Sequence, residues 1–262
     1  MLKTRVIPTL LIRNGDLVKG SQFKNHRYVG DPINIVKIFN EKEVDELVFM
    51  DISASERGSI DYKIISDIAS EAFMPFSYGG GIKSLNQIEK LFQIGVEKII
   101  INSAAQQTPA LIKDAVKIAG SQSIVLSMDV KKTLFGGYEV FTQNATARTK
   151  NNPVDYAKRM QDLGIGEIII CSIDREGTDK GYDLKLLKSI SSVLEIPTVA
   201  SGGASCFDDF RQALEIGHVS AVAGGNIFIF YGKHKAVLAN YPSNDELEAI
   251  FFEEGGNHEK NR

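Results

Sequence analysis

Pro75-Phe-Ser-Tyr-Gly-Gly-Gly81 and Pro197-Thr-Val-Ala-Ser-Gly-Gly203 are the two stretches that decide the fold of this chain. Each is a short apolar run that starts at a proline and ends in paired glycines. Asp61 and Asp183 are separated by the same number of positions as Pro75 and Pro197, so the two halves of the chain resemble each other. A duplicated set of four βα units closes naturally at eight, which predicts a (βα)₈ barrel of the TIM type.

Strand-length apolar runs alternate with helical patterns along the whole chain. The predicted strands are Val6–Ile12, Glu46–Ile52, Pro75–Tyr78, Lys98–Asn102, Ile124–Val130, Glu167–Asp174, Pro197–Ser201 and Val219–Ala223. The predicted helices are Asp31–Asn40, Tyr62–Ala72, Leu85–Ile94, Pro109–Ala119, Pro153–Leu163, Leu184–Leu194 and Phe207–Ile216. An open doubly wound sheet is the alternative, but it would need no symmetry between the halves. We therefore expect one barrel over residues 1–252, with half-barrels at about 1–120 and 121–252, and a polar tail, Glu253–Arg262, that frays.

The amino-acid composition argues against several classes of function. The 262 residues are 43% hydrophobic and 24% charged, with a net charge of −3 and no basic block, so nucleic acid is not expected as a partner. No signal-peptide layout or membrane-length apolar run is present, which predicts a cytoplasmic protein without a membrane partner. Two cysteines and four histidines supply neither a disulfide framework nor a metal site, and no cofactor is expected.

Glycine-rich turns follow several of the predicted strands, where barrels hold phosphate groups. Glycine lets backbone N–H groups approach an anion closely. Two predicted phosphate cups result, which suits an elongated ligand with a phosphate at each end. The first cup consists of Gly81, Asn102 and Ser103, and the second of Gly203, Gly224, Gly225 and Asn226. Tight turns that need glycine for their own geometry are the alternative interpretation.

Carboxylates stand where the catalytic groups of barrels usually lie, at the ends of strands. Asp129 closes an apolar run, so partial desolvation can tune it as a general acid or base. Asp51 and Asp174, with Glu176 just beyond, are supporting candidates, and hydrogen bonding that fixes a loop is an equally good interpretation of Asp51 and Asp174. Lys19 lies in a predicted first loop between glycines, which would permit closure over a ligand. A solvated loop lysine is the alternative interpretation.

Four charged residues mark the opposite end of the barrel: Arg5, Glu46, Lys98 and Glu167. Each stands at the start of a predicted strand, so all four belong to the N-terminal floor. Two positive and two negative side chains can form a closed ring of salt bridges. By charge and position alone, the ring is best interpreted as a structural plug.

An ordered series of motifs along the chain matches one known family: Val6–Leu10, Leu17–Gly20, Gly30–Pro32, Asp45–Ile52, Gly79–Ile82, Ile101–Ala105, Gly120–Gln122, Gly166–Ile168, Asp174–Thr178, Gly181–Asp183 and Ala200–Ala204. Over nearly its whole length, the chain therefore resembles the cyclase subunit of imidazole glycerol phosphate synthase. The resemblance implies a barrel that receives ammonia from a glutaminase docked on its floor and uses it at the mouth on a phosphorylated small molecule.

The resemblance also implies roles for individual residues. Asp129 matches one of two catalytic aspartates, and Lys19 matches the lysine of a mobile loop. Gly81, Asn102 and Ser103 match one phosphate site, while Gly177, Gly203 and Gly225 lie in the other. The floor residues Arg5, Glu46, Lys98 and Glu167 match the charged gate of the ammonia route, and this replaces the plug interpretation.

Two departures from the family pattern alter the predicted mouth. The second catalytic aspartate is replaced by Leu11, which cannot transfer a proton, and Asn226 stands where the second phosphate cup usually has serine. Other segments resemble a paralogous branch associated with bacterial surface polysaccharides: Leu11–Asn14, Tyr28–Gly30, Phe39–Val44, Tyr78 and Ala236–Pro242. That branch is thought to work with a glutaminase and a separate sugar amidotransferase that converts an acetamido group to an acetamidino group.

Three hypotheses therefore follow from the sequence. The first is an ammonia-handling barrel subunit of the acetamidino-sugar branch. The second is the cyclase of histidine biosynthesis, with a substitute for the missing aspartate. The third is a non-catalytic scaffold that binds the glutaminase and conducts ammonia.

Overall fold

The computed structural model describes residues 4–252, so the predicted tail Glu253–Arg262 lies outside the described residues. The strands are β1 (Arg5–Arg13), β2 (Asp16–Ser21), β3 (Lys24–Gly30), β4 (Leu47–Asp51), β5 (Phe76–Gly79), β6 (Lys98–Ile101), β7 (Ile124–Lys132), β8 (Tyr138–Thr142), β9 (Ala147–Arg148), β10 (Glu167–Ser172), β11 (Thr198–Ser201), β12 (Ala221–Gly224), β13 (Phe230–Tyr231) and β14 (Ala236–Val237).

Helices connect successive strands of the barrel. They are α1 (Pro32–Glu41), α2 (Ala54–Arg57), α3 (Tyr62–Glu71), α4 (Leu85–Ile94), α5 (Ser103–Gln107), α6 (Ala110–Ala119), α7 (Pro153–Asp162), α8 (Leu184–Ser191), α9 (Phe207–Glu215), α10 (Asn226–Ile229) and α11 (Asn244–Phe252), with a 3₁₀ turn at Ser121–Ser123. None of these helices is both long and apolar enough to cross a membrane.

Eight parallel strands form a closed barrel. The order around it is β1, β4, β5, β6, β7, β10, β11 and β12, and every neighbouring pair is parallel. β12 pairs with β1, with Arg5 opposite Ala221, and this pairing closes the ring. The predicted barrel is therefore confirmed, and the open doubly wound sheet is excluded because no strand of the ring has a free edge.

The residues that face the barrel interior form three layers, because side chains alternate between the two faces of a strand. Along β1, Arg5, Ile7, Thr9 and Leu11 share one face. The lowest layer is the charged floor. The middle layer is a separate apolar cluster consisting of Ile7, Val48, Ile100, Val125, Ile169, Val199, Ala221 and Ala223. The upper layer opens into the mouth, and the larger apolar core lies between strands and helices.

Six of the seven predicted helices agree with the structure to within one residue at each end, whereas α8 ends at Ser191 and not at Leu194, and α2, α5, α10 and α11 were not predicted. Capping residues mark several of the boundaries. Asp31 and Asn152 accept hydrogen bonds from backbone N–H groups at the starts of α1 and α7, and a proline occupies the first turn of each. Ser84 and Gln87 form a capping box on α4, which ends at Gly95 with a φ of 113°. Local capping hydrogen bonds therefore contribute to setting these helix boundaries.

Hairpins extend the barrel at its mouth, and the sequence did not predict them. β2 and β3 form an antiparallel hairpin after β1, and β8 pairs with the extended end of β7. The expectation of a loop around Lys19 was wrong, because Lys19 lies in β2. Its side chain is only 3% exposed, so it is neither solvated nor placed on an irregular loop.

Candidate functional site

A cavity occupies the mouth and reaches the middle apolar layer through Val48, Ile100 and Ile169. The predicted site residues that line it are Leu11, Lys19, Gly81, Asn102, Ser103, Asp129, Glu176 and Gly225. Thr9, Ser127, Cys171 and Ser201 add polar atoms from strands β1, β7, β10 and β11. The barrel thus brings together, at one end, residues far apart in sequence.

Asp129 is held rigidly in the cavity wall. It lies within β7 and is 7% exposed. The Asn102 amide donates to its carboxylate at 2.9 Å, and the same amide donates to the Ser127 carbonyl at 2.9 Å. Burial raises the pKa of Asp129 to about 7, although the Asn102 hydrogen bond opposes the shift. A carboxyl group that titrates near neutrality can both donate and accept a proton.

Lys19 reaches into the same cavity from the β2–β3 hairpin. Its Nζ donates to the Thr9 carbonyl at 2.5 Å and packs against Gly225. Burial lowers the pKa of Lys19 to about 8, with partial compensation from Glu176. Glu176 faces Lys19 across the cavity, and burial raises its pKa while Lys19 opposes that rise. The cavity therefore contains two groups whose pKa values lie near neutral pH, Asp129 and Lys19, together with Glu176, whose pKa is raised by burial.

Leu11 gives the β1 side of the cavity an apolar character. It pairs with Met50 across the β1–β4 register, and both side chains line the cavity. Ile52 and Phe23 extend this apolar wall. Among the described residues, the ionisable side chains of the cavity therefore lie away from β1: Lys19 and His26 in the β2–β3 hairpin, Lys83 after β5, Asp129 in β7 and Glu176 after β10.

The first predicted phosphate cup opens into the cavity. Gly81, Asn102 and Ser103 all line it. The turn between β8 and β9 covers this cup through two hydrogen bonds. The Gln143 N–H donates to the Ser103 hydroxyl at 3.1 Å, and the Asn144 side-chain amide donates to the carbonyl of Ile52, just after β4, at 2.8 Å. Neither residue of this turn was predicted, since no motif marks a polar turn that reaches the site only through tertiary packing.

The second predicted cup is mostly outside the cavity. Of Gly177, Gly203, Gly224 and Gly225, the described structure places only Gly225 in the cavity wall. Asn226 turns its amide toward Asp179, with a donor–acceptor distance of 3.1 Å. The first predicted cup therefore lies in the cavity wall, whereas most glycines of the second predicted cup lie outside it.

Asp51 and Asp174 hold loops in place. Asp51 accepts from the Ser53 N–H at 2.9 Å and the Ala54 N–H at 3.0 Å, and it pairs with Arg57 at 2.7 Å. Asp174 accepts from the Lys132 N–H at 2.8 Å. Neither carboxylate lines the cavity. The loop-fixing interpretation of both residues is the one that this geometry favours.

The four floor residues form a closed ring. Arg5 bonds to Glu46 at 2.7 Å and to Glu167, while the Lys98 ammonium bonds to Glu46 at 3.0 Å and to Glu167 at 3.1 Å. Ser77 donates a further hydrogen bond to Glu46 at 2.9 Å. Both carboxylates are buried, and both cations are partly exposed.

Mutual pairing keeps this ring charged. Burial alone would raise the pKa of Glu46, but Lys98 and Arg5 outweigh burial and hold that pKa below its usual value. Burial likewise disfavours the charged form of Arg5, and Glu167 and Glu46 outweigh it, so the pKa of Arg5 is raised. The ring closes the lower end of the apolar interior with charges that need no further partner.

Comparison with known proteins identifies the family. A family model described as "Histidine biosynthesis protein" matches residues 5–235. The chain belongs to this family. A Pseudomonas aeruginosa relative, named provisionally as imidazole glycerol phosphate synthase subunit hisF2, is 47% identical over 249 residues, which cover 95% of this chain and 99% of the relative.

Further members of the histidine biosynthesis family resemble the chain over nearly their full length. A Leptospira interrogans protein, also named provisionally as the subunit HisF, is 46% identical over 254 residues, covering 96% of this chain and all of the relative. The imidazole glycerol phosphate synthase subunit HisF of Petrotoga mobilis is 41% identical over 238 residues, covering 90% of this chain and 94% of the relative. The chain therefore resembles HisF subunits from both provisionally and firmly named members of the family.

Proposed function

We propose that this chain is the ammonia-handling barrel subunit of a glutamine-dependent complex, with a glutaminase docked on the barrel floor. The observation that carries the proposal is the stacking of three layers along one axis. A closed ring of charges lies at the floor, an apolar layer lies above it, and a cavity with titratable groups lies at the mouth. The names of the HisF relatives support the same assignment.

The apolar layer suits neutral ammonia and opposes ions. Moving an ammonium ion into an apolar interior costs far more than moving a small neutral molecule. The middle layer consists of aliphatic side chains such as Val125, Val199 and Ala221. Ammonia produced at the floor would cross this layer uncharged and reach Asp129 and Lys19 at the mouth.

The acceptor that we propose is a sugar bound by a separate amidotransferase. The reaction would convert an acetamido group to an acetamidino group in surface polysaccharide synthesis. Support comes from Leu11, which leaves the β1 side of the mouth without a proton-transfer group. The four charged floor residues match the family pattern, whereas Leu11 at the mouth departs from it. This combination fits a barrel that passes ammonia onward.

Cyclase activity in histidine biosynthesis is the second candidate. It is favoured by Asp129 and Lys19, which share one cavity, and by the 41% identity to the Petrotoga mobilis subunit. A barrel that only conducts ammonia and activates the glutaminase is a third candidate. The titratable groups gathered at the mouth argue against this third candidate.

Co-purification of the tagged chain from its native host, followed by an ammonia-transfer assay, tests the proposal. We expect a glutaminase to copurify and glutamine to replace ammonium salt as the nitrogen source. An accompanying sugar-modifying enzyme would support the paralogous branch, whereas turnover of an imidazole precursor by the barrel and glutaminase alone would support the cyclase. Absence of any glutamine-dependent transfer by the complex would overturn the proposal.

A further inference from the structure

The hairpin of β2 and β3 crosses the mouth of the barrel. It leaves the ring at β1, and its tip reaches the loop after β10. There the Gln22 N–H donates to the Glu176 carbonyl at 2.8 Å, and the Gln22 side-chain amide donates to the Asp174 carbonyl at 3.0 Å. In the order of the ring, β11 and β12 lie between β10 and β1. The hairpin is therefore held at both ends, so side chains that it directs inward reach the cavity.

His26 is one of the hairpin residues that line the cavity. It lies in β3 and is half-buried. The other histidines that the structure describes, His218 and His234, are exposed and do not line the cavity. His26 belongs to none of the sequence segments that match the family, so only the folded hairpin reveals that an imidazole lies at the mouth.

Contact with the backbone of Gly20 fixes the position of the imidazole ring. A Cβ atom at Gly20 would lie 2.8 Å from Cδ2 of His26, 3.1 Å from its Nε2 and 2.5 Å from the Lys24 carbonyl oxygen. The two strands can pack at this spacing because position 20 has no side chain. Among the described residues, none forms a hydrogen bond with the His26 ring. Within this part of the chain, neither ring nitrogen is committed to a neighbour.

Two charged residues at the rim of the mouth act on His26 in opposite directions. Arg13 ends β1 and disfavours the imidazolium, whereas Glu56, on α2 after β4, favours it. Burial is the largest influence and acts with Arg13, so the pKa of His26 lies below its ordinary value of 6.5. These neighbours place the ring beside the ends of β1 and β4, the side that Leu11 and Met50 make apolar. The imidazole is therefore mostly neutral at neutral pH.

His26 is separated from the other ionisable groups of the cavity. Lys19 of β2, Lys83 after β5, Asp129 of β7 and Glu176 after β10 also line the cavity, and none of these four shifts the pKa of His26. Conversely, His26 is not among the groups that shift the pKa of Asp129. The imidazole and the Asp129 carboxyl group therefore lie apart in one cavity, and a ligand can lie between them.

Addition of ammonia to a carbonyl carbon needs both a proton acceptor and a proton donor. As the nitrogen lone pair forms the carbon–nitrogen bond, the carbonyl π electrons move to the oxygen. The nitrogen then has to lose a proton, and the oxygen has to gain one. The neutral imidazole of His26 can accept the first proton, and Asp129 in its protonated form can donate the second. Return of the proton from the imidazolium to the Asp129 carboxylate, through water, restores both groups.

We propose that His26 is the proton acceptor of the mouth, and that it deprotonates the ammonia nitrogen as this nitrogen adds to a carbonyl carbon held between His26 and Asp129. This role rests on the proposed function, which takes the mouth as the place where ammonia meets its acceptor. It assigns the acceptor to the carbonyl and amide compounds. The half-exposed ring also leaves access for an acceptor that a second enzyme holds.

Nitrogen-15 NMR titration of the chain alone tests the position of His26. Leu11→Asp should raise the titration midpoint of His26, because a carboxylate on the β1 wall favours the imidazolium, and the uncharged Leu11→Asn should have a smaller effect. Glu56→Gln, at an exposed position, should lower the midpoint, and it serves as the second variant if Leu11→Asp does not fold. A His26 midpoint that responds to neither change would place the ring away from this wall and overturn the inference.

Rate measurements on the assembly with its glutaminase test the chemistry. His26→Gln should lower transfer from ammonium salt about 100-fold or more. His218→Gln, at an exposed position before β12, is the matched control and should leave the rate unchanged. The ratio of the unaltered rate to the His26→Gln rate should fall as the pH is lowered below 6.5, because protonation removes the acceptor. Imidazole in the buffer should restore part of the rate of His26→Ala, whereas a purely structural role would give a constant ratio and no rescue.

Glutamine hydrolysis measured in the same samples separates this role of His26 from the proposed function. Normal hydrolysis with lost transfer in His26→Gln would support the inference, whereas unaltered transfer at every pH would overturn it and leave the ammonia proposal intact. An unaltered assembly that transfers nitrogen from ammonium salt but not from glutamine would overturn the proposed function, and the His26 variants would still decide the inference. Absence of transfer from either nitrogen source would overturn both.

Discussion

The amide nitrogen of Asn102 lies 2.9 Å from the carboxylate of Asp129 and 2.9 Å from the carbonyl oxygen of Ser127. The resemblance to a known family assigned Asn102 to a phosphate cup, yet its amide group is directed at the candidate acid–base residue. One residue therefore links the first cup to Asp129. Occupancy of the cup and protonation of the carboxylate are expected to be coupled through it.

Removal of this hydrogen bond should raise the pKa of Asp129 from its value of about 7. The Asn102 amide stabilises the ionised carboxylate, so Asn102→Ala leaves burial unopposed. Carbon-13 NMR titration of the Asp129 carboxyl carbon measures the change directly. Asn86→Ala, on the exposed surface of α4, is the control and should leave the midpoint unchanged. A lower midpoint in Asn102→Ala would contradict this assignment of the hydrogen bond.

Asp129 should also make stability depend on pH. Its pKa is raised from 3.8 to about 7 by burial, so the folded state binds this proton more tightly than the unfolded state does. The resulting stabilisation is fully present below pH 3.8 and is lost as pH rises through about 7. Chemical denaturation at several pH values should show a decline across this window that Asp129→Asn removes. If the free energy of unfolding changed equally with pH in the unaltered protein and in Asp129→Asn, that result would count against a raised pKa of Asp129.

The floor ring should be sensitive to charge reversal. Glu167→Lys places three cations around Glu46, and breaking a buried ion pair typically costs about 3–5 kcal/mol. We expect weakened or mis-gated glutamine-dependent ammonia delivery, with a smaller effect for Glu167→Gln. Arg5→Glu should give a similar defect, and joining Arg5→Glu with Glu167→Arg should restore part of the coupling.

Circular dichroism separates a gating defect from unfolding in these variants. Lys63→Glu, in an exposed ion pair on α3, is the matched control and should leave stability nearly unchanged. Folded Glu167→Lys and Arg5→Glu variants with unaltered ammonia delivery would refute a gating role for the ring.

Leu11 should prevent efficient imidazole ring closure. A positioned proton-transfer group is worth about 10²–10⁴-fold in rate, and the β1 side of the cavity has none. We expect that the gene fails to rescue a histidine auxotroph lacking the cyclase, even with ammonia supplied. Leu11→Asp should recover some cyclase activity in vitro only if the second cup can accept the other phosphate. Rescue at normal growth rate by the unaltered gene would restore the histidine-pathway cyclase as the first candidate.

The sequence by itself determined the barrel, most boundaries of the seven predicted helices and the position of the charged floor. Strand alternation places Arg5, Ile7 and Thr9 on one face, and caps such as Asp31 and Ser84 start the helices. These signals are local, since they depend on side-chain periodicity and on hydrogen bonds between residues a few positions apart. The repeat between the two halves of the chain predicted the long-range feature of the fold, the closure of eight strands into a barrel.

Only the tertiary structure decided the arrangement of the mouth. In the folded chain, Lys19 is a buried residue of a hairpin, the Asn102 amide donates to Asp129, and Asp179 accepts from the Asn226 amide. Each of these contacts joins segments that are distant in sequence, and their geometry depends on how several loops pack together. Local periodicity carries no information about such packing, so equivalent glycine motifs in the two halves could not reveal that their surroundings differ.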